Sequence, residues 1–174
     1  MIRIRPLELA DASALLELRV RNRAFLEPWE PLRDPRFYTL AAQEEAARAA
    51  LHERDEGRAL PFVLESDGAV VGAVNLNVIV RGVFDNAYLG YWLDEAHGGR
   101  GIATEGVRQA VSHALGPGGL HRIQAAVIPR NATSMRVLEK LAFREEGYAV
   151  RYLRINGVWE DHRLFAVTRE EWRG

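Results

Sequence analysis

The sequence contains no cysteine, so disulfide bonds, thiolate nucleophiles and thiolate metal ligands are all excluded. Lysine is almost absent as well, because Lys140 is the only lysine among 23 basic residues. The formal net charge of −1 leaves no excess of either sign and gives no electrostatic reason to expect binding to nucleic acid or to an anionic membrane. We therefore expect neither nucleic acid nor membrane among the partners.

Long apolar runs are also missing. No stretch reaches the length of a membrane span, and the N-terminal residues MIRIRPLEL lack the apolar centre of a signal peptide, so we expect a cytoplasmic protein. None of the histidines shows H-x-x-x-H or H-E-x-x-H spacing, so no metal site is expected. The 174 residues, 48% of them hydrophobic, are enough for one domain with a sizeable core, which we place at residues 1–174.

The order of apolar patterns predicts an α+β fold. Strand patterns cover about seven segments: 2–7, 60–65, 69–80, 87–93, 123–128, 148–155 and 158–167. Helical patterns cover about four: one after Asp11, residues 40–56, one through Val107 and Ala114, and one after Asn131. Turn signals at Ser66-Asp67-Gly68 and Asn156-Gly157 predict hairpins, so most neighbouring strands should be antiparallel.

The segment from Tyr91 to Gly106, YWLDEAHGGRGIATEG, joins a strand pattern to a helix pattern through a glycine cluster. The first turn of a helix carries unpaired N–H groups and a partial positive charge, and glycines let an anion approach the main chain. The arrangement therefore indicates a phosphate-binding loop. The dinucleotide motif G-x-G-x-x-G does not fit, because Gly106 comes one position late, and the P-loop lysine is missing. An ordinary strand-to-helix connection is the alternative.

A second polar element lies in the helix that follows Asn131. Asn131 is placed as a helix cap, and Ser134, Leu138 and Leu141 fall on one helical face. Ser134 should therefore point into the protein, as the leucines do. A hydroxyl there is either an inert capping partner or a donor aimed at a buried ligand.

Together these two motifs resemble the GCN5-related N-acetyltransferases, the GNAT superfamily. The resemblance rests on GRGIATE at residues 99–105, on N-x-x-S-x-x-V-L-E-K-L-x-F from Asn131, and on the ending G-Y-x-x-R-Y-L-R-I-N-G-V-W-E-D-H. That ending is similar to the RimJ/RimL branch, which acetylates ribosomal proteins on alanine. Two positions depart from the family's pattern: Gly98 stands where many relatives carry Gln or Arg, and Ala142 replaces the usual Gly of L-G-F.

The resemblance implies a single GNAT domain with a mixed, mostly antiparallel sheet that splays apart near Leu93 and Val127, opening a V for the pantetheine arm. Acetyl-CoA would be the cosubstrate, without a metal. The residues implied for cosubstrate binding are Trp92, Leu93, Gly99, Arg100, Gly101, Ile102, Ala103, Thr104, Asn131 and Ser134. A main-chain N–H at the end of the Tyr91 to Leu93 strand would stabilise the oxyanion.

Direct attack of a neutral amine on the thioester needs an acid for the departing thiolate and a route for the amine's proton. Ser134 is predicted as the acid, in preference to Tyr148 and Tyr152. Glu30 is predicted as the base, because it lies in the proline-rich loop LEPWEPLRDP that should border the acceptor. The remaining candidate acids, which are more often solvated or structural, are Asp85, Glu105 and Asp161.

The acceptor predicted from the RimJ/RimL resemblance is the α-amino group of a protein N-terminus. Two other functions stay open: a polyamine or antibiotic acetyltransferase, and a CoA-binding sensor or scaffold without turnover. Trp29 either pins the proline-rich loop to the core or forms a substrate wall. His162, beside Asp161, is either part of an acceptor-side pair or a cross-strand polar contact. The oligomeric state is open, with a homodimer considered.

Overall fold

One seven-stranded sheet runs through the computed structural model, which describes residues 1–174. The strands are β1 (Ile2–Pro6), β2 (Leu60–Ser66), β3 (Ala69–Val80), β4 (Asn86–Leu93), β5 (Arg122–Val127), β6 (Arg144–Ile155) and β7 (Val158–Thr168), in the order β1-β2-β3-β4-β5-β7-β6. The α-helices are α1 (Ala12–Arg21), α2 (Arg23–Leu26), α3 (Leu40–Asp55), α4 (Ile102–Leu115) and α5 (Ala132–Lys140). Short 3₁₀ turns cover Leu9–Asp11, Glu27–Trp29, Pro35–Tyr38 and Glu95–His97.

The predicted α+β fold with seven strands is confirmed, and all neighbouring strands except β4 and β5 are antiparallel. Both predicted hairpin turns are present, with φ of 52° and 85° at Asp67 and Gly68, and 44° and 82° at Asn156 and Gly157. A fifth helix, α2, is only four residues long and follows α1 after Asn22 alone. Strand β6 begins at Arg144, four residues before the predicted start, because the polar residues that open it lack apolar alternation but pair with β7.

Strands β4 and β5 part after a short contact. Their parallel pairing extends only from Asn86 to Tyr88 on β4. Beyond this point β4 stays paired with β3 up to Leu93, and β5 stays paired with β7 up to Val127. The splay that the family resemblance implied is therefore confirmed, and the edges that face each other across it have no neighbouring strand.

Helices cover the sheet on both faces. The main core, of 21 buried residues, packs one face against α4 and α5, and we call this the α4 face. Gly106 of α4 lies so close to β2 that a Cβ there would be 2.6 Å from Leu64 Cδ1, which explains the glycine. A smaller cluster joins α1 and α3 to Val63 on the opposite face, the α1 face. None of the helices combines the length and the apolar character needed to cross a bilayer.

Candidate active site

A cleft of about 190 Å³ lies where β4 and β5 separate. Its lining residues come from the proline-rich loop, β4, β5, the start of α5 and β7: Trp29, Leu89, Gly90, Tyr91, Ala125, Ala126, Val127, Ile128, Asn131, Ser134 and His162. Seven of these eleven residues are hydrophobic. The polar side chains of the lining are therefore few, and each can be assigned a position.

Ser134 lies in the first turn of α5 and lines the cleft. The side chain of Asn131 accepts a hydrogen bond from the Ser134 main-chain N–H at 3.1 Å, so the predicted helix cap is confirmed. The Ser134 hydroxyl is 2.8 Å from the Tyr91 hydroxyl, which also lies 3.0 Å from the Ser134 carbonyl oxygen. The two hydroxyls thus form a hydrogen-bonded pair in the cleft.

Tyr91 is a site residue that the sequence reasoning missed. Burial raises the pKa of its phenol to about 12, and the hydrogen bond from Ser134 opposes this only in part, so the phenol keeps its proton near neutral pH. A signal was available in the sequence, because Tyr91 lies two residues from Leu89 and from Leu93 and so shares their strand face. A hydroxyl on an otherwise apolar, core-facing strand needs a partner, and here the partner is on α5.

The glycine loop leads directly into α4. Gly99 and Gly101 have φ of 73° and 76°, which other residues rarely adopt, and no side chain caps the helix. By contrast, α3 and α5 each have a side-chain cap, from Thr39 and Asn131. The first-turn N–H groups of α4 therefore have no side-chain partner and are available to an anion.

The residues that precede the two left-handed glycines differ in their surroundings. Gly98 has φ of −62° and donates its N–H to the Glu95 carbonyl at 3.0 Å, so its backbone conformation does not require glycine. The side chain of Leu93 packs beside the buried cluster that contains Ile102. The Trp92 ring lies on the α1 face, with the Arg19 guanidinium 3.9 Å from its centroid. Neither the Trp92 nor the Leu93 side chain lines the cleft, which leaves their main chain as the part that can bind a ligand there.

Glu30 lies in a cluster of paired charges and aromatic rings on the α1 face. Its carboxylate forms an ion pair with Arg19, and their side chains are 16% and 13% exposed. Arg33 Nε is 3.8 Å from the second carboxylate oxygen, and the Arg33 guanidinium also covers the Phe37 ring at 4.4 Å. We call Arg19, Glu30, Arg33, Phe37 and Trp92 the arginine cluster. Glu30 is therefore brought near β4, but its carboxylate is already engaged by arginine.

Two contacts hold the proline-rich loop, which carries Glu30, against the rest of the domain. The Glu30 carbonyl accepts a hydrogen bond from Asn156 N–H in the β6–β7 turn at 2.8 Å. The Arg130 guanidinium covers the Trp29 ring at 5.3 Å and pairs with Glu160 at 2.9 Å. Trp29 thus helps to hold the loop in place and forms part of the cleft wall, and its role as a substrate wall stays a prediction.

The other candidate acids are engaged elsewhere. Glu105 binds Arg108 and Gln109, Asp85 pairs with Arg81, and Asp161 accepts hydrogen bonds from the Tyr148 hydroxyl and the Arg151 N–H. His162 makes no pair with Asp161. Its Nδ1 is 3.0 Å from the Glu160 carbonyl oxygen, and its ring meets Tyr152 edge to face at 5.6 Å. No group of three or more His, Asp or Glu side chains is arranged to hold a metal ion.

A buried polar contact joins α1 to the end of β4, and the sequence reasoning did not identify it. The Asn22 side-chain amide donates to Asp94 Oδ1 at 2.8 Å and accepts from Glu95 N–H at 2.9 Å. Burial alone would raise the pKa of Asp94, but hydrogen bonds from Asn22, His97 and Arg21 lower it below its usual range. This contact fixes the entry to the glycine loop.

Comparisons with known proteins cover almost the whole chain. Residues 2–144 match the acetyltransferase (GNAT) domain family. The probable N-acetyltransferase YjcK of Bacillus subtilis is 44% identical over 95% of this chain and 93% of its own length. The ribosomal protein uS5-alanine N-acetyltransferase of Escherichia coli is 35% identical over 93% of this chain and 84% of its own. RimJ of Mycobacterium smegmatis, solved in complex with CoA-disulfide, has a TM-score of 0.94 and 37% identity, covering 97% of this chain and 82% of that one.

Proposed function

Since this chain belongs to the GNAT acetyltransferase family and is an acetyl-CoA-dependent N-acetyltransferase, we propose that its acceptor is the α-amino group of a protein N-terminus, in a ribosomal protein beginning with a small residue. The observation that carries this proposal is the 35% identity, over 93% of the chain, to an enzyme named ribosomal protein uS5-alanine N-acetyltransferase. The relative with 44% identity is named only as a probable N-acetyltransferase, so the acceptor itself stays a proposal.

In this proposal the main chain from Gly99 to Thr104 holds the pyrophosphate of acetyl-CoA. The uncapped first turn of α4 supports it, because four N–H groups at a helix start have no partner within the helix. The pantetheine arm lies between β4 and β5, where the unpaired strand edges offer main-chain hydrogen bonds. Asn131, in the cleft wall, contacts the arm, and a main-chain N–H near Trp92 or Leu93 stabilises the oxyanion.

Ser134 acts as the acid in the proposed reaction. The amine nitrogen forms a bond to the acetyl carbon, the bond from that carbon to sulfur breaks, and the Ser134 hydroxyl donates a proton to the departing thiolate. Tyr91 supports this step by positioning the Ser134 hydroxyl, whose oxygen is 2.8 Å from the Tyr91 hydroxyl. With a pKa of about 12, the Tyr91 phenol keeps its proton, which it donates to the Ser134 carbonyl oxygen at 3.0 Å.

From the sequence, Glu30 is predicted as the group that accepts the amine's proton. Its position on the loop next to the cleft supports the assignment, since the adjacent Trp29 lines the cleft. Its ion pair with Arg19 has to weaken for the carboxylate to take up a proton. A Glu30→Gln variant tests this, as discussed below.

The choice of an α-amine has a physical basis beside the family relationship. An α-amine with a pKa near 7.7 to 8.0 is roughly 10 to 15% neutral at pH 7, whereas a lysine or polyamine amine near 10.4 is only about 0.04% neutral. A polyamine acceptor also needs free acids around the cleft to bind its ammonium groups. Here Glu30, Glu160 and Asp161 are each bonded to an arginine or a tyrosine. The α-amine therefore suits this site better.

The proposal is tested by measuring CoA thiol release with a panel of acceptors. The panel contains peptides beginning with Ala or Ser, the same peptides with a blocked N-terminus and an internal lysine, and spermidine. We expect turnover with the free N-termini alone. Acetylation of spermidine or of the internal lysine without any reaction at the free N-terminus would replace this proposal with the small-amine function. Thermal stabilisation by CoA without turnover of any amine would indicate a binding module.

A further inference from the structure

We propose that His162 is a catalytic residue, and that its Nε2 accepts the proton that the amine nitrogen loses as the new C–N bond forms. This inference rests on the proposed function, because it needs an amine acceptor in the cleft. It goes further by assigning the base to a histidine of the last strand in place of Glu30, whose carboxylate is paired with Arg19. The observation behind it is that His162 is only 3% exposed and yet lines the same cleft as Ser134 and Tyr91.

The composition of the cleft lining favours this assignment. His162 and Tyr91 are the only titratable side chains among the lining residues. Burial raises the pKa of Tyr91 to about 12, so its phenol already carries a proton and cannot take another at neutral pH. Histidine is the side chain suited to accepting and releasing a proton near neutrality. A proton leaving an amine within this cleft therefore meets one side chain that can receive it.

The position of His162 follows from the strand register. Pairing between β5 and β7 ends with Val127 opposite Arg163, so His162 is the first residue of β7 beyond the end of β5. On its other side His162 pairs with Ala149 of β6. Alternation along β7 turns His162 to the face opposite Arg163. The side chain thus stands at the level where β4 and β5 have separated, which is where the acceptor must meet the thioester.

One hydrogen bond determines which ring nitrogen can act as the base. A carbonyl oxygen only accepts, so the contact between His162 Nδ1 and the Glu160 carbonyl, at 3.0 Å, places the hydrogen on Nδ1. With the hydrogen on Nδ1, the lone pair lies on Nε2, for which the structure shows no hydrogen-bond partner. The bulge in β6 after Ala149 brings Tyr152 against the ring, edge to face at 5.6 Å, and holds its orientation.

The proton balance needs no further reactant. The amine gives one proton to His162 Nε2 while its nitrogen bonds to the acetyl carbon. The Ser134 hydroxyl gives one proton to the sulfur as the bond from carbon to sulfur breaks. The His162 proton then passes to water, and Ser134 regains a proton from water. The products are an amide and the free thiol of CoA.

The test compares two variants of His162 that keep different parts of its structural role. His162→Asn retains a donor for the Glu160 carbonyl but removes the Nε2 lone pair, and His162→Phe retains a ring against Tyr152. We expect both to lower kcat by about 10²- to 10⁴-fold with the KM for acetyl-CoA unchanged. Imidazole added to His162→Ala should restore part of the rate. The matched control is His113→Asn, since His113 meets Phe62 edge to face outside the cleft and should leave kcat unaffected.

Each outcome decides the question. A folded His162→Asn or His162→Phe protein with the wild-type kcat overturns the assignment, and so does a loss confined to KM. If the wild-type protein turns over none of the acceptor amines, the proposed function fails and this inference fails with it. If wild-type turnover is present and the variants match it, the inference alone fails. A low kcat in both variants, together with rescue by imidazole, supports it.

Discussion

The two faces of the sheet beside the cleft carry different kinds of groups. On the α4 face, the glycine loop and the uncapped start of α4 offer main-chain N–H groups within one short stretch of sequence. On the α1 face, the arginine cluster and Trp29 are side chains brought together from α1, the proline-rich loop and β4. A main-chain site suits a cosubstrate that never changes. A wall of side chains suits an acceptor, because substitutions there can alter specificity while the phosphate site stays intact.

The Ser134 and Tyr91 pair lies in the cleft itself, so its loss should have the largest effect. We expect Ser134→Ala to lower kcat by about 10²- to 10⁴-fold, because the departing thiolate loses its proton donor. Neither substrate should bind much more weakly. Steady-state kinetics measures this, with Ser112→Ala as the matched control, since Ser112 accepts a hydrogen bond from Trp172 away from the cleft. A loss confined to acetyl-CoA affinity would make Ser134 a binding group.

A substitution in the arginine cluster should affect the binding of the acceptor and leave the binding of acetyl-CoA unchanged. Glu30→Gln leaves the mostly buried guanidinium of Arg19 without its counter-charge, and we expect it to lower the free energy of unfolding by about 2 to 3 kcal/mol. The KM for the acceptor should rise, and a fall in kcat as well would make Glu30, rather than His162, the base. The KM for acetyl-CoA should not change. Chemical denaturation and kinetics measure these effects.

The control for this variant is Glu44→Gln, which removes an exposed ion pair with Arg48. We expect that change to cost less than about 0.5 kcal/mol. Equal free energies of unfolding for the two variants would show that the ion pair of Glu30 stabilises the protein no more than an exposed ion pair does. A rise in the KM for acetyl-CoA in Glu30→Gln would show that the two faces of the sheet are not separable.

On the α4 face the sensitive position is Gly101. Its φ of 76° costs a residue with a side chain about 1 to 2 kcal/mol, so we expect Gly101→Val to raise the KM for acetyl-CoA about tenfold. A Cβ at Gly101 meets no protein atom, so the fold should tolerate it. Gly57→Val is the matched control, because Gly57 has φ of 71° and an equally open Cβ direction at the end of α3. Equal KM values in both variants would mean that the loop does not hold the pyrophosphate.

The smallest effect is expected at Ala142, just after α5. Ala142 has φ of 56°, in the left-handed region that ends many helices and favours glycine. Ala142→Gly should therefore stabilise the protein by about 1 kcal/mol, with kcat unchanged. Denaturant unfolding measures the change. A destabilised variant would show that the alanine methyl group contributes packing that outweighs the backbone strain.

The sequence predicted best what depends on neighbours along the chain. The glycine loop, the Asn131 cap and the inward face of Ser134 all follow from spacing within a few residues, and the cap is confirmed. Tyr91 was missed because its contact with Ser134 joins residues 43 positions apart. A pattern within a few residues gives no information about a contact between residues so far apart in the sequence.

The acceptor side depends even more on long-range contacts. Asn22 falls on the same helical face as Leu15 and Leu18, and its partner Asp94 lies 72 positions away. The environment of Glu30 could not be predicted either, because its arginine partners are set by how the proline-rich loop folds back on α1. That the domain spans residues 1–174 stays a prediction. The family model matches residues 2–144, and β6 and β7 complete the same sheet.

The most direct test of the account uses one peptide that carries both kinds of amine. The peptide begins with a free alanine and contains one internal lysine, and it is incubated with the protein and acetyl-CoA at pH 7. Tandem mass spectrometry then locates the acetyl group. The account predicts acetylation of the alanine α-amine alone, whereas acetylation of the lysine side chain with a free α-amine would contradict it.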